Sequence, residues 1–316
     1  MTGKARSKSL MPPGVIFSVL LLLTAGLALV LPAPFVSWGS FQTKAAVVPL
    51  LQFIMFVMGT RVSLDGLRLV LVKPGVVCLG LGLQYLLMPF FVAGLAISFR
   101  LPPDIGAGTV LLASVCAGNS SNVMTYFAGG NLELSVAMTT ISTLLAPIAT
   151  PLLMQGLAGR DVPVDAGAMA LSIVRIVVIP IGLGLFAERL LRKHKAVADR
   201  WSPNLVIGAT CLVNAIITAS SRDALLQIGS ALILVELIHN VAGYGVGYFA
   251  ARIFRLDRQD CIAMAMQLGI RSGGLATGLA YDVLKSGNAA LASIIFGTIQ
   301  NTSGALLASI FRKEKA

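Results

Sequence analysis

Charge is scarce in this chain. Asp, Glu, Lys and Arg together make up 12% of its 316 residues, and 56% are hydrophobic. A soluble globular chain carries roughly 25% charged residues, so this composition reads as an integral membrane protein. Histidine is rarer still, with only His194 and His239, and no HExxH, paired aspartates or GxSxG occurs. An intramembrane enzyme needs a nucleophile with a base, or a metal set, so no enzyme is expected. The four cysteines, Cys78, Cys116, Cys211 and Cys261, lie within or at the edge of apolar runs without CxxC spacing. They read as small buried core residues, and neither a disulfide, a transition metal nor a cofactor is expected.

Acidic residues are the scarcer sign, 13 against 24 basic, for a net charge of +11. The cations do not lie on an aromatic-interleaved face, which argues against nucleic acid as a partner. They cluster between apolar runs. Ten such runs have spanning length, at about 13–32, 43–60, 75–98, 104–127, 132–155, 165–188, 201–221, 224–251, 260–282 and 288–311. The connections leave no room for a soluble domain. The first run, Gly14–Leu31, is long for a signal peptide and reads as a span.

With the N-terminus cytoplasmic, one side of the bilayer carries seventeen cations. They are Lys4, Arg6, Lys8, Arg61, Arg68, Lys73, Arg189, Arg192, Lys193, Lys195, Arg200, Arg252, Arg255, Arg258, Arg312, Lys313 and Lys315. The other side carries five, Lys44, Arg100, Arg160, Arg222 and Lys285. That bias supports a multi-pass protein of the bacterial-type cytoplasmic membrane with both termini cytoplasmic.

An internal repeat divides the chain. Phe99-Arg100-Leu101 precedes the fourth run and Phe254-Arg255-Leu256 the ninth; laid together without gaps, Gly118 falls on Gly273, Cys116 on Arg271 and Gln84 on His239. Further on, Gly130-Asn131 meets Gly287-Asn288 with two residues of slippage. Five spans per half invert the second half. The expected fold is therefore all-α and polytopic, ten transmembrane helices in two inverted five-helix repeats, 1–158 and 159–316. Interrupted segments at matching places in such halves point to a midplane binding site of a secondary transporter.

Both interruptions are visible. The run Gly118-Asn119-Ser120-Ser121-Asn122 puts small and polar residues at mid-membrane, and Arg271-Ser272-Gly273-Gly274 does the same in the ninth segment. Gly118, Gly273 and Gly274 are the expected helix breaks. An Arg near a bilayer centre costs about 2.5–3.5 kcal/mol even on the lenient insertion scale, so Arg271 is expected to face protein or a hydrated path. Two opposed half-helix N-termini suit an anion. Among the other charges, Glu236 shares a face with His239, either as a partner for Arg271 or as a proton-responsive pair, though packing accounts for both as well. Arg175 is expected to snorkel or to pair with a polar neighbour. Glu133, Asp260 and Asp282 fall near segment ends.

The blocks SSNVMTYFAGGNLELSVAMTTIST, QYLLMP, GIRSGGLATGLA and NTSGALLASIF resemble the bile acid:sodium symporter family over nearly the whole chain. The resemblance implies a core domain (about 75–155 and 224–311) with two crossing broken helices, and a panel domain (about 13–60 and 165–221). It also implies a first sodium site at Ser121, Asn122, Ser135, Thr139 and Gln267, the last in place of a family Glu. A second site falls on Gln84, Gln267, Leu268, Ile270 and Arg271, where Arg271 replaces a family Gln. Substrate contacts fall on Asn119, Ser120, Ser272 and Asn301, with Arg271 beside them.

The departures change the electrostatics. A family core with one carboxylate and two sodium ions has net charge +1. Neutral Gln267 and cationic Arg271 give +1 with no ion bound. A guanidinium at the second site excludes Na+ by like charge and fills its role permanently, and Arg cannot act as a proton carrier. The first site keeps neutral oxygens, including the Gln267 amide oxygen, so Na+ is expected at one site at most. These residues point to alternating-access transport of a small organic anion, a bile-acid-like or pantoate-like carboxylate, that is sodium-independent or weakly sodium-coupled. An ordinary sodium-coupled symporter is the alternative; a channel and an intramembrane enzyme are more remote. A monomer in the lipid bilayer suffices for this mechanism.

Overall fold

The computed structural model describes residues 13–38, 41–60, 74–158, 162–190 and 195–313. The cations at Lys4, Arg6, Lys8, Arg61, Arg68, Lys73, Arg160, Arg192, Lys193 and Lys315 lie outside the described residues. Helices α1 (Pro13–Val30) and α2 (Val47–Gly59) flank a helical turn at Ala33–Val36 and a two-residue antiparallel ladder, Ser37–Trp38 on Phe41–Gln42. Helix α3 (Pro74–Ser98) contains a π turn at Leu83–Leu87. There follow α4 (Pro103–Ser114), α5 (Ser120–Ala128) and α6 (Leu132–Leu157). Helix α7 (166–190) carries a second π turn at Val174–Val178, and α8 (Lys195–Ser220) and α9 (Arg222–Ile253) come next. The chain ends in α10 (Arg258–Gly269), α11 (Gly273–Asp282) and α12 (Gly287–Lys313).

Five helical stretches, Pro74–Ser98, Leu132–Leu157, Ala166–Glu188, Gly229–Ile253 and Gly287–Arg312, are long and apolar enough to cross a membrane. Val19–Val30, Thr43–Gly59 and Asn204–Ser220 are shorter apolar helices. The outer surface is apolar too, with Leu23, Ile97, Ile148, Phe186, Phe249 and Ile253 all exposed, as a lipid-facing surface requires. Pro147 and Pro151 sit inside α6, a placement that membrane-spanning helices tolerate. Helices approach closely at glycines. A Cβ on Gly243 or Gly247 of α9 would meet the α10 backbone at Leu268 or Met264, at 2.5 and 2.4 Å. This is the small-xxx-small contact that membrane helices use in place of a hydrophobic driving force.

The two Phe-Arg-Leu turns share one backbone device. Arg100 and Arg255 both adopt left-handed φ, 50° and 55°. Leu101 N donates to Ala96 O and Leu256 N to Ala251 O, each at 3.0 Å, closing the preceding helix in the same way. The caps that follow also correspond, but not as expected. Asn131 caps α6 and donates to Asp260 at 2.7 Å, while Ser286, not Asn288, caps α12 and bonds Asp104 at 3.4 Å. Asn131 and Ser286 have the same separation as Arg100 and Arg255, so no slippage is needed; the matching Gly-Asn letters misled because the capping oxygen, not the residue name, repeats. Asp260 is 2% exposed and not merely at a segment end, its burial offset by Asn131.

The expectation for the cysteines also shifts. Cys116 and Cys261 are buried as expected, but Cys78 is exposed, since α3 turns Val77 and Gly80 inward instead. Arg175 is exposed on α7.

Candidate functional site at the helix crossing

Both interrupted segments break where their backbones can pair with each other. After Ser114 the chain is extended at Val115, and after Gly269 it is extended at Ile270. Gly118 N donates to Ile270 O at 3.1 Å, Ser272 N donates to Cys116 O at 3.0 Å, and Ala117 faces Arg271 in an antiparallel bridge. Backbone groups released by the breaks are thus satisfied inside the membrane-spanning core. The breaks fall slightly earlier than the glycines suggested. Gly118 lies within the first, but Gly273 and Gly274 open α11, and Ser120–Asn122 form the first turn of α5. Gly118 is needed for close approach, since a Cβ there would sit 2.6 Å from Arg271 O.

Side chains from other helices hold the crossing. Thr150 donates to Ser114 O at 2.8 Å, and Asn240 donates to Gly269 O at 2.8 Å while accepting from Ser303 at 2.7 Å. Gln300 grips the Arg271 peptide at both ends, accepting from its N–H at 2.8 Å and donating to its carbonyl at 3.2 Å. None of these four was singled out from the sequence. Only their polarity inside apolar helices marked them.

A cavity of about 210 Å³ opens beside the crossing. All five residues expected at the substrate, Asn119, Ser120, Arg271, Ser272 and Asn301, line it, as do Gly118, Gly273 and Gly274. Opposite them stand α2 and α8, through residues such as Leu51, Met55, Met58 and Thr210. Asn119 Nδ2 lies 2.7 Å from Met58 Sδ across this space. Neither Asn119 nor Ser272 closes the N-terminus it precedes with its side chain. Both N-termini border the cavity through Ser120, Gly273 and Gly274, although Ser121 N, Asn122 N and Gly273 N are already bonded to Gly118 O, Asn119 O and Arg271 O.

Arg271 is 1% exposed, and none of its three guanidinium nitrogens has a hydrogen-bond partner among the described residues. Its charge acts on Tyr85, Cys116 and His239, on the side of α3 and α9. Of the other residues expected at the second ion site, Gln84 is fully buried with neither amide atom partnered among the described residues, and Ile270 O is taken by Gly118 N. Leu268 and Gln267 are fully buried in α10.

The first set is assembled, but with Gln267 turned the other way. Its Nε2 lies 2.5 Å from Ser135 O, 2.8 Å from Ser135 Oγ, 2.7 Å from Thr139 Oγ1 and 3.3 Å from Asn122 Oδ1. The Ser135 carbonyl can only accept, so the amide nitrogen must face it, and Gln267 Oε1 has no partner among the described residues. The expected ligand oxygen is replaced by a nitrogen. Ser135 and Thr139 also donate to Asn122 Oδ1, at 2.7 and 3.1 Å, and Thr125 joins Ser135 Oγ at 3.1 Å. Ser121 is fully buried, and its hydroxyl joins none of these bonds.

The sequence profile of the sodium bile acid symporter family matches residues 48–231. The chain is 36% identical over 302 residues to the uncharacterized sodium-dependent transporter YocS of Bacillus subtilis, covering 95% of this chain and 92% of that one. It is 30% identical over 322 residues to the probable chloroplastic sodium/metabolite cotransporter BASS6 of Arabidopsis thaliana, covering 98% and 76%. Against the corresponding BASS1 of Arabidopsis thaliana it is 30% identical over 262 residues, covering 82% of this chain and 65% of that one. The apolar helices and these relatives together make it a multi-pass membrane transporter, not an enzyme, and the chain belongs to the sodium bile acid symporter family.

Proposed function

We propose that the protein carries a small organic carboxylate across the cytoplasmic membrane by alternating access, without obligatory sodium. The observation that carries this reading is the cavity at the crossing, bordered by two helix N-termini and by a buried cation with no hydrogen-bonded counter-ion among the described residues. Helix N-termini and an unneutralised guanidinium act in the same sense on an anion. At about 210 Å³ the cavity is below the roughly 300–1,000 Å³ of drug-sized pockets, which favours a pantoate-like acid over a steroid.

The repeated Arg100 and Arg255 turns and the Asn131 and Ser286 caps support two inverted halves, 1–158 and 159–316, of five spans each. In this reading the core (75–155 and 224–311) moves against the panel (13–60 and 165–221) about the crossing. Both termini are cytoplasmic, and one chain in the bilayer suffices.

Sodium independence rests on the two altered positions. The Gln267 amide nitrogen stands among the oxygens of the first site, and Arg271 brings a fixed positive charge to the second. Ordinary sodium coupling is the second reading, favoured by the relatives' names. Uptake of labelled candidate anions into proteoliposomes, with Na+ replaced by K+ or choline, separates the two. Uptake that continues without Na+, and that becomes sodium-dependent in Gln267→Glu/Arg271→Gln, is the expected result. Complete loss of wild-type uptake without Na+ would sink the first reading.

A further inference from the structure

One wall of the cavity is apolar except at Thr210 and Asn214. It belongs to α1, α2 and α8, with Leu21, Leu51, Met55 and Val213 among its residues. Both polar side chains have their protons already committed. Thr210 Oγ1 donates to Val206 O at 2.7 Å within its own helix. Asn214 Nδ2 donates to Leu21 O of α1 at 2.9 Å and reaches Thr24 Oγ1 at 3.5 Å. A carbonyl can only accept, so the amide orientation is fixed, with the nitrogen toward α1. Asn214 Oδ1 is left without a partner among the described residues, on a side chain that borders the cavity and is 2% exposed. Ser293 of α12 borders the same cavity with its hydroxyl likewise unpartnered among the described residues. A hydroxyl can donate or accept and so discriminates little; Asn214 Oδ1 can only accept.

What this wall can recognise follows from that asymmetry. A buried acceptor without a partner is more costly than one facing water, so a ligand that brings a donor to it gains affinity. A methyl group, an ether and a second carboxylate bring none, and the last two set their own lone pairs against Oδ1. An ammonium would donate, but it adds positive charge to a cavity that Arg271 already borders. A hydroxyl donates without adding charge. The carboxylate belongs to the other wall, where Arg271, Ser272 and Gly273 stand.

We propose that Asn214 is a specificity-determining residue and that the substrate is a short hydroxycarboxylate. Its carboxylate lies at the helix crossing, and a hydroxyl at its far end donates to Asn214 Oδ1; this rests on the anion-transport reading above. A pantoate-like acid, with a hydroxyl on the carbon furthest from its carboxylate, belongs to this class. A site built to bond a hydroxyl rejects the analogue that lacks it, because the buried acceptor is then left unmet.

The test uses the full chain in proteoliposomes with Na+ on both sides, so that it is independent of sodium coupling. Exchange of radiolabelled γ-hydroxybutyrate and pantoate is competed with unlabelled γ-hydroxybutyrate, butyrate, γ-methoxybutyrate and succinate, which differ only in the group opposite the carboxylate. In the wild type γ-hydroxybutyrate is expected to compete at about tenfold lower concentration than each of the others. Asn214→Leu is expected to weaken γ-hydroxybutyrate to within about twofold of butyrate. Asn214→Val replaces it if the longer side chain prevents folding. Thr218→Val, one turn along α8 and outside the cavity lining, removes another unpartnered buried hydroxyl and is expected to keep the preference. Equal competition by γ-hydroxybutyrate and butyrate in an exchanging wild type overturns the proposal and leaves the transport reading standing. An undiminished preference in the Asn214 variant overturns it too, as does an equal loss in Thr218→Val. If neither labelled acid exchanges in the wild type, the anion-transport reading fails, and this proposal with it.

Discussion

Ser135 Oγ lies 2.8 Å from Gln267 Nε2 while donating to Asn122 Oδ1 at 2.7 Å. One hydroxyl thus joins α5, α6 and α10 around a single nitrogen. That nitrogen carries two protons and has four oxygens within 3.3 Å, more acceptors than it can serve. The arrangement has the geometry of an oxygen cage with an uncharged occupant.

Exchanging that occupant for a carboxylate should open the cage to a cation. In Gln267→Glu the Ser135 carbonyl would face an oxygen with no proton between them, a repulsion that a bound Na+ relieves. A sodium-dependent rise in melting temperature is expected in detergent, with K+ as control. The stabilisation would be about 2.7 kcal/mol at a hundredfold excess over the dissociation constant. The wild type should show no such rise, and an equal sodium effect on both proteins would count against the self-filled cage.

Gly118 supplies a sharper structural test. A methyl group there would meet the Arg271 carbonyl at 2.6 Å, and that atom is main chain that cannot turn aside. Gly118→Ala should therefore separate the two breaks and lose roughly 1–3 kcal/mol by overpacking, with transport falling alongside. Gly245→Ala on α9, where nothing lies within 4 Å, should be neutral or stabilising by about 0.5–1 kcal/mol. Thermal melts of the pair decide it; equal shifts would show that the close approach at Gly118 has no energetic weight.

Much of this site could be read from the sequence because polar and small residues have few reasons to sit at mid-membrane. Asn119, Ser120, Ser272 and Asn301 were recognisable on that ground together with the family resemblance, and all line one cavity with Arg271. The positions where the helices end were less legible. Val115 and Ile270 are β-branched, apolar and indistinguishable from their neighbours, and they become extended only because each strand finds the other. The orientation of Gln267 was hidden for a similar reason, since it depends on a carbonyl of α6 that has no signature in the letters. Gln300 and Asn240 were hidden by distance along the chain.

Gln300 nevertheless deserves a test as a positioning residue. Gln300→Leu leaves the N–H of Arg271 buried without a partner, at about 1–3 kcal/mol, while its carbonyl keeps the Gly273 N–H at 3.0 Å. A clear fall in melting temperature is expected, with weaker anion exchange as the crossing loosens. Thr302→Ala removes a hydroxyl that, among the described residues, bonds only Thr298 within its own helix, so its shift should stay within about 0.5 kcal/mol. Comparable losses from both would assign Gln300 no special part in holding Arg271.

The cavity also predicts a sidedness. Met58 and Thr210 line it, and Met58 lies just ahead of Arg61, within the basic set assigned to the cytoplasm. At the other end Ser172 of α7 bonds Asp282 of α11 at 2.5 Å and is 7% exposed, closing α7 against α11. The structure should therefore correspond to a cytoplasm-open form. With Cys78 and Cys211 replaced by Ser, Met58→Cys and Thr210→Cys are expected to react with a membrane-impermeant maleimide in inside-out vesicles. Ser172→Cys should stay unreactive from either side, and the buried native Cys116 and Cys261 should add little background. A saturating transported anion should protect Met58→Cys, which stands across the cavity from Asn119. Labelling of Met58→Cys only in right-side-out vesicles would reverse the orientation; fast labelling of Ser172→Cys would mean that the outer contact is not the closed gate.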